Sequence, residues 1–155
     1  MILLSIADVK NFMNDILKGT TFNDWEARDV EIVTFTKFNI SCIVNKAFLS
    51  LEQQEQLTSN YLKWSDLQSI VYTIIKGKTP PSHIKIVLAY PSLELNNNLE
   101  NIESILINIG FEKGNINITT GTSSTTFSLD KSNDQLCDEI IKDFLQKNNI
   151  SYQLI

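Results

Sequence analysis

The sequence predicts an α+β domain in which an antiparallel sheet carries its helices on one face. Three observations lead there. Apolar residues recur at helical spacing in three separate stretches, runs with strand-like patterning lie between them, and short polar turns join several of those runs. Strands joined by tight turns pair antiparallel, and an amphipathic helix has to bury its apolar stripe against another layer. The chain has 155 residues, 43% of them hydrophobic and 20% charged. That is enough for one substantial core, with the makeup of a globular domain and not a disordered one.

Residues Ile2 to Ile6 read as a short strand. Asp8 then caps a helix whose stripe is Val9, Phe12, Met13, Ile16 and Leu17. Gly19 follows the last turn, where a left-handed residue is expected, and Lys18 suits the negative end of the helix dipole. From Trp25 to Val44 the residues are β-like. Val30, Ile32, Val33, Phe35 and Phe38 lead into an alternation of Ile40, Cys42 and Val44, which predicts two antiparallel strands with the turn within Lys37–Ser41. The Glu- and Gln-rich stretch Leu51–Leu62 reads as a loop or a short helix.

A second helix is expected over Asp66–Lys76, with Leu67, Ile70, Val71, Ile74 and Ile75 as its stripe. Gly77 ends it, and Pro80-Pro81 forbid continuation. Strands are expected at Ile84–Tyr90, Ile105–Phe111 and Ile116–Thr120, the last two joined by a Lys113-Gly114 turn. A polar turn at Gly121–Ser124 would lead to a further strand at Thr125–Leu129, and Asn96-Asn97-Asn98 reads as a loop. Ser132 and Gln135 make a capping-box pattern for a last helix, about residues 133–148, with the stripe Cys137, Ile140, Ile141, Phe144 and Leu145. Ile150, Tyr152 and Leu154 read as an edge strand.

An internal echo runs through this plan. Ala7–Gly19 aligns without gaps to Ser65–Gly77, each copy running Asp, apolar, two polar, two apolar, two mostly polar, two apolar, Lys, Gly. Two readings stay open. Any capped amphipathic helix of this length would match, or residues 1–155 form a single domain of two pseudo-repeat halves, roughly 1–60 and 61–131, followed by the C-terminal helix.

The runs Lys18-Gly19-Thr20-Thr21-Phe22, Thr34-Phe35-Thr36-Lys37-Phe38, Ile75-Lys76-Gly77-Lys78 and Thr119–Lys131 carry a resemblance. Through them the chain resembles, over almost its whole length, an uncharacterised bacterial family classed only as a domain of unknown function. That resemblance implies no activity. More distantly, the strand, helix and strands of each half, with the Gly121–Leu129 stretch, are similar to one domain of a DNA sliding clamp. This likeness implies a clamp-like shape with helices on the DNA-facing side, and it carries over no functional residue.

The formal net charge is −5. Such a balance argues against nucleic-acid binding by the whole surface, because phosphate attraction needs a dense basic footprint. The opening apolar run reaches Asp8 too soon for a signal peptide or a membrane span. Cys42 and Cys137 sit in apolar-periodic segments, so a cytoplasmic protein with reduced core thiols is expected.

Several motifs invite chemistry and are weakened by their surroundings. Gly77-Lys78-Thr79 looks like the tail of a phosphate-binding loop, but Tyr72 stands where that loop needs glycine, and Pro80-Pro81 follow where it needs a helix. His83 is the only histidine, with no second histidine to build a metal site, and reads as a turn residue entering a strand. Asp134, Asp138, Glu139 and Asp143 have a spacing that could serve a metal or acid–base pair, yet Lys142 and Gln146 interleave them as on a solvated helix face. Gly121–Thr126 offers amides and hydroxyls to an anion and equally suits a strand turn.

The outward faces of the two echoed helices are neutral to mildly basic, through Lys10, Lys18, Lys76 and Lys78, whereas the last helix is acidic. These four lysines are the candidate nucleic-acid contacts. No catalytic set, metal site or cofactor is implied. The reading that follows is a non-catalytic interaction module presenting a sheet or helix surface to a protein or nucleic-acid partner, with no membrane role. The alternative is a small enzyme or ligand-binding protein that gathers residues such as His83, Tyr90 and Asp130 into a cleft.

Overall fold

A computed structural model describes residues 1–91, 102–124 and 132–155. The elements are β1 (Leu3–Ile6), α1 (Val9–Lys18), β2 (Glu26–Val33), β3 (Lys37–Ile40), α2 (Leu51–Glu55), α3 (Trp64–Ile75), β4 (His83–Ala89), β5 (Ile102–Glu112), β6 (Asn115–Ser124), α4 (Ser132–Lys147) and β7 (Tyr152–Leu154). The strands form a single seven-stranded sheet in the order β3-β2-β4-β5-β6-β1-β7, with every neighbouring pair antiparallel. The fold is α+β.

Register explains why the sheet has one wet face. Ile40, Val30, Ile86, Ile109, Ile118, Leu4 and Leu154 stand opposite one another across all seven strands, and the row is buried from Val30 to Leu4. One residue along each strand, the row becomes Asn39, Glu31, Lys85, Gly110, Asn117, Ser5 and Gln153, all at least partly exposed. Successive strand side chains point to opposite faces, so only one of these rows can lie under helices. The buried residues Phe12, Ile16 and Leu17 of α1, Trp64, Leu67 and Val71 of α3, and Cys137, Ile141 and Leu145 of α4 share one core with the aliphatic row. Each fully buried aliphatic side chain there contributes about 1.5–3 kcal/mol. At the edge of this core Trp25 packs against Phe22, Tyr90 and Phe144, with ring centroids 4.8–5.3 Å apart.

The structure departs from the sequence expectations at several places. The turn between β2 and β3 is Thr34–Thr36, with Thr34 N–H donating to Thr36 C=O at 2.9 Å, and not within Lys37–Ser41. Threonine and phenylalanine favour strands, but the core face of β2 ends at Ile32, and Phe35 is left outside. The alternation through Cys42 is not a strand either: Cys42 has φ 65, a left-handed backbone that breaks pairing after Ile40. Gly121–Ser124 is no turn; it continues β6 opposite Ile102–Leu106 of β5. Lys113-Gly114 does turn the chain, both residues having positive φ. The expected strand Thr125–Leu129, the Asn96–Asn98 loop and the side chain of Ser132 lie outside the described residues.

The echoed helices engage the core differently. Asp8 is the N-cap of α1, whereas Asp66 lies inside α3 and accepts from the backbone N–H of Lys63 at 3.1 Å. Phe12 is buried, while its counterpart Ile70 is 51% exposed. Trp64, which the echo ignores, is fully buried in the first turn of α3. The strands are also shared unequally, the hairpin β2–β3 following α1 and the three-stranded run β4–β5–β6 following α3.

Candidate interaction surfaces

Between Cys42 and Leu62 the chain leaves the sheet as an arm. Its stem is closed by Leu62 N–H donating to Cys42 C=O at 2.9 Å, Val44 N–H to Asn60 C=O at 2.8 Å, and a bridge between Ile43 and Tyr61. A 3-10 turn, Lys46–Phe48, and α2 form its tip. Ser50 caps α2, its Oγ accepting from Gln53 N–H, while Ser50 N–H donates in turn to Gln53 Oε1. Gln54 Nε2 then ties the two pieces together, donating to the carbonyls of Lys46 and Leu49 at 2.7 and 3.2 Å.

Polar bonds therefore hold the tip in shape, and its apolar residues are spare. Neither the 3-10 turn nor α2 buries a residue. Phe48 is 87% and Leu51 79% exposed. A shallow groove of about 350 Å³ lies alongside, lined by Lys46, Gln54, Leu57, Thr58, Ser59 and Asn60. Of the two alternatives for Leu51–Leu62, a loop or a short helix, the chain forms a short helix over Leu51–Glu55 followed by irregular backbone, and Phe48 lies before it. The available signal was Phe48-Leu49 and Leu51 around the cap Ser50, an apolar group with no stripe continuing it.

Arg28 anchors the base of the arm. It sits where the β2–β4 register shifts between Ala27 and Asp29. From there its Nη2 donates to Glu26 Oε1 at 3.0 Å and to Ser104 Oγ on β5 at 2.9 Å, while the Tyr61 ring lies 4.2 Å from its guanidinium carbon. A bulge frees a side chain to reach past the neighbouring strand, and an arginine face suits an aromatic ring. No sequence spacing links these residues.

The candidate lysines are partly brought together. Lys18 and Lys76, each exposed at the end of its helix, place their ammonium groups 4.9 and 5.3 Å from the centre of the Tyr72 ring. Lys10 is exposed on α1 two turns before Lys18, and Lys78 is exposed beyond α3. The carboxylates of the same two helices are turned to local bonding: Asp8 accepts from Asn11, Asp15 from Thr21, and Asp66 from Lys63.

The remaining motifs resolve into structural roles. His83 opens β4, with Nε2 4.0 Å from Glu31 Oε1. Tyr90 lies just past the other end of that strand, about 23 Å away at strand rise, so His83 and Tyr90 do not meet; Asp130 is outside the described residues. Asp138 corrects the solvated-face expectation for α4. It is buried, accepting from Thr120 Oγ1 at 2.5 Å and from the Met1 ammonium at 3.1 Å. Asp134 accepts from Thr122 at 3.0 Å, and Glu139 pairs with Lys142. Among the described residues no group of three or more His, Cys, Asp or Glu is placed to hold a metal.

Cys42 and Cys137 are free, buried thiols. Burial, reinforced by Asp29 beside Cys42 and by Asp134 and Asp138 beside Cys137, pushes each up to about 11. No helix among the described residues is long and apolar enough to cross a membrane. Searches of the curated proteins and of the solved structures return no significant match. The chain belongs to DUF5721, a family of unknown function, whose family model matches residues 15–153.

Proposed function

We propose that this domain is a non-catalytic interaction module that docks a protein partner through the tip of its arm. One observation carries the reading: Phe48 and Leu51 are held almost fully in solvent by a hydrogen-bonded tip that buries nothing of its own. Large apolar side chains fixed in water represent unused transfer free energy, which a complementary surface recovers. Glu52 and Glu55 flank them on α2, so the fitting surface is an apolar groove with a basic rim. The test compares wild type with a Phe48→Asp/Leu51→Asp variant in affinity purification, followed by calorimetry on the purified partner. The variant keeps its fold and loses roughly a thousandfold in affinity, in line with about 2 kcal/mol at each of the two anchoring residues. Unchanged affinity overturns the reading.

Tyr72 favours a second reading, in which the helix layer binds nucleic acid as the clamp resemblance implies. The Lys18 and Lys76 ammonium groups converge over the Tyr72 ring, two cations held together as contact with a phosphate backbone requires. Lys10 and Lys78 would extend that footprint. Fluorescence anisotropy with labelled single- and double-stranded oligonucleotides tests it. Affinity falls steeply with salt and is lost when Lys10, Lys18, Lys76 and Lys78 are changed to Glu; a signal that is absent or indifferent to salt removes this reading.

A further inference from the structure

Strand β7 ends the sheet, and its hydrogen-bond pattern says which groups it leaves over. Ala7 N–H donates to Ser151 C=O at 3.0 Å, and Ile155 N–H donates to Leu3 C=O at 3.1 Å. Along an antiparallel strand these groups alternate in direction. Ser151, Gln153 and Ile155 therefore turn their backbone toward β1, while the N–H and C=O of both Tyr152 and Leu154 point away from the sheet.

The side chains of this edge strand carry no charge, and much of what surrounds it is apolar. Among the described residues, four of the ten large apolar side chains left exposed are found here: Met1, Leu3, Leu154 and Ile155. Leu154 lies on the helix-covered face beside Leu4, whereas Leu3 and Ile155 adjoin on the open face. Residues 148–155 contain no Lys, Arg, Asp, Glu or Pro. Sheet edges are ordinarily protected by such residues, as the opposite edge is by Lys37 at the start of β3.

We infer that β7 pairs with β7 of a second copy of this chain, joining two seven-stranded sheets into one antiparallel sheet across a two-fold axis at Gln153. A two-fold contact sets each residue at the axis against its own counterpart, so a charged edge would repel itself; this edge carries no side-chain charge to do so. Centring on Gln153 is the register that uses both outward-facing residues of each strand. Tyr152 then exchanges two backbone hydrogen bonds with the partner's Leu154, and Leu154 exchanges two with the partner's Tyr152. Those side chains share one face and form aromatic–aliphatic cross-strand pairs. Gln153, exposed in the single chain, meets the partner's Gln153 on the other face. A groove of about 550 Å³ lined by Gln146, Asn149, Ile150, Ser151 and Tyr152 flanks the seam.

The test is sedimentation velocity on the full chain over a roughly hundredfold concentration range, with far-UV circular dichroism on every variant. Wild type sediments as a dimer that dissociates on dilution. Gln153→Lys and Gln153→Glu each keep the fold and shift to monomer, with dissociation constants raised at least tenfold, and mixing the two restores a dimer because opposite charges then meet at the axis. Leu154→Pro removes an outward N–H and an interface side chain while leaving the bonds of β7 to β1 in place, so it also yields a folded monomer. A wild type that stays monomeric throughout the range overturns the inference. So does a Gln153→Lys protein that remains dimeric, or a Lys and Glu mixture that fails to associate.

Discussion

The indole N–H of Trp64 donates to the carbonyl oxygen of Ile16 at 2.7 Å, and both groups are buried. Gln68 Nε2 donates to the same carbonyl at 3.0 Å and to Gly19 C=O at 2.8 Å. The last carbonyls of a helix have no partner within it. Here α3 supplies the donors for α1, so the two helices are joined by specific polar bonds as well as by packing.

Removing the indole donor should therefore destabilise the protein even when the ring is largely kept. Trp64→Phe is expected to cost about 1–3 kcal/mol, because the Ile16 carbonyl keeps only Gln68 and a small void opens. Trp64→Ala should cost about 3–5 kcal/mol. Urea unfolding followed through Trp25, the other tryptophan in the chain, measures both. A Trp64→Phe protein as stable as wild type would show that this bond contributes nothing.

Gly19 is required for a reason other than the one its position suggests. Its φ of −83 is open to any residue, so it is not a left-handed cap. A Cβ built there would collide with Asp15 Oδ1 and would stand 2.7 Å from the Asp15 carbonyl oxygen. Gly19→Ala and Gly19→Asn should be destabilised alike, by about 1–3 kcal/mol. At a left-handed cap, asparagine would be the milder change. Thermal unfolding of the two variants separates these cases, and a clear advantage for asparagine would refute the steric account.

The two buried thiols make stability depend on alkaline pH. Each is raised from 9.0 to about 11 in the folded protein. Below pH 9 the thiols are protonated whether the chain is folded or not, and their effect on stability is constant. Between pH 9 and pH 11 the unfolded chain loses these protons and the folded chain holds them, so the unfolded state gains and stability falls. Urea titrations across this window should show a decline that Cys42→Ala/Cys137→Ala removes. At neutral pH both thiols should react slowly with iodoacetamide until urea exposes them.

Much of this architecture was legible in the sequence because burial is periodic. The stripes of α1, α3 and α4 and the alternation in β4, β5 and β7 are local patterns, and each is enforced by which face meets the core. The β2–β3 turn was misplaced because Thr34-Phe35-Thr36 has strand-forming residues, and only the pairing of Val33 with Lys37 shows where the strand stops. The lysines were visible as an exposed set; that Lys18 and Lys76 converge on Tyr72 was not.

Sequence alone determined the α+β class and the faces that the helices and strands turn to the core, since both follow from apolar spacing within a dozen residues. Tertiary structure decided the rest: the burial of Asp138 under Thr120, the Trp64 bond to Ile16, the reach of Arg28 to Ser104, and the exposure of Phe48. Each depends on partners brought together from distant parts of the chain, or on a partner that never arrives. Local spacing carries no information about either.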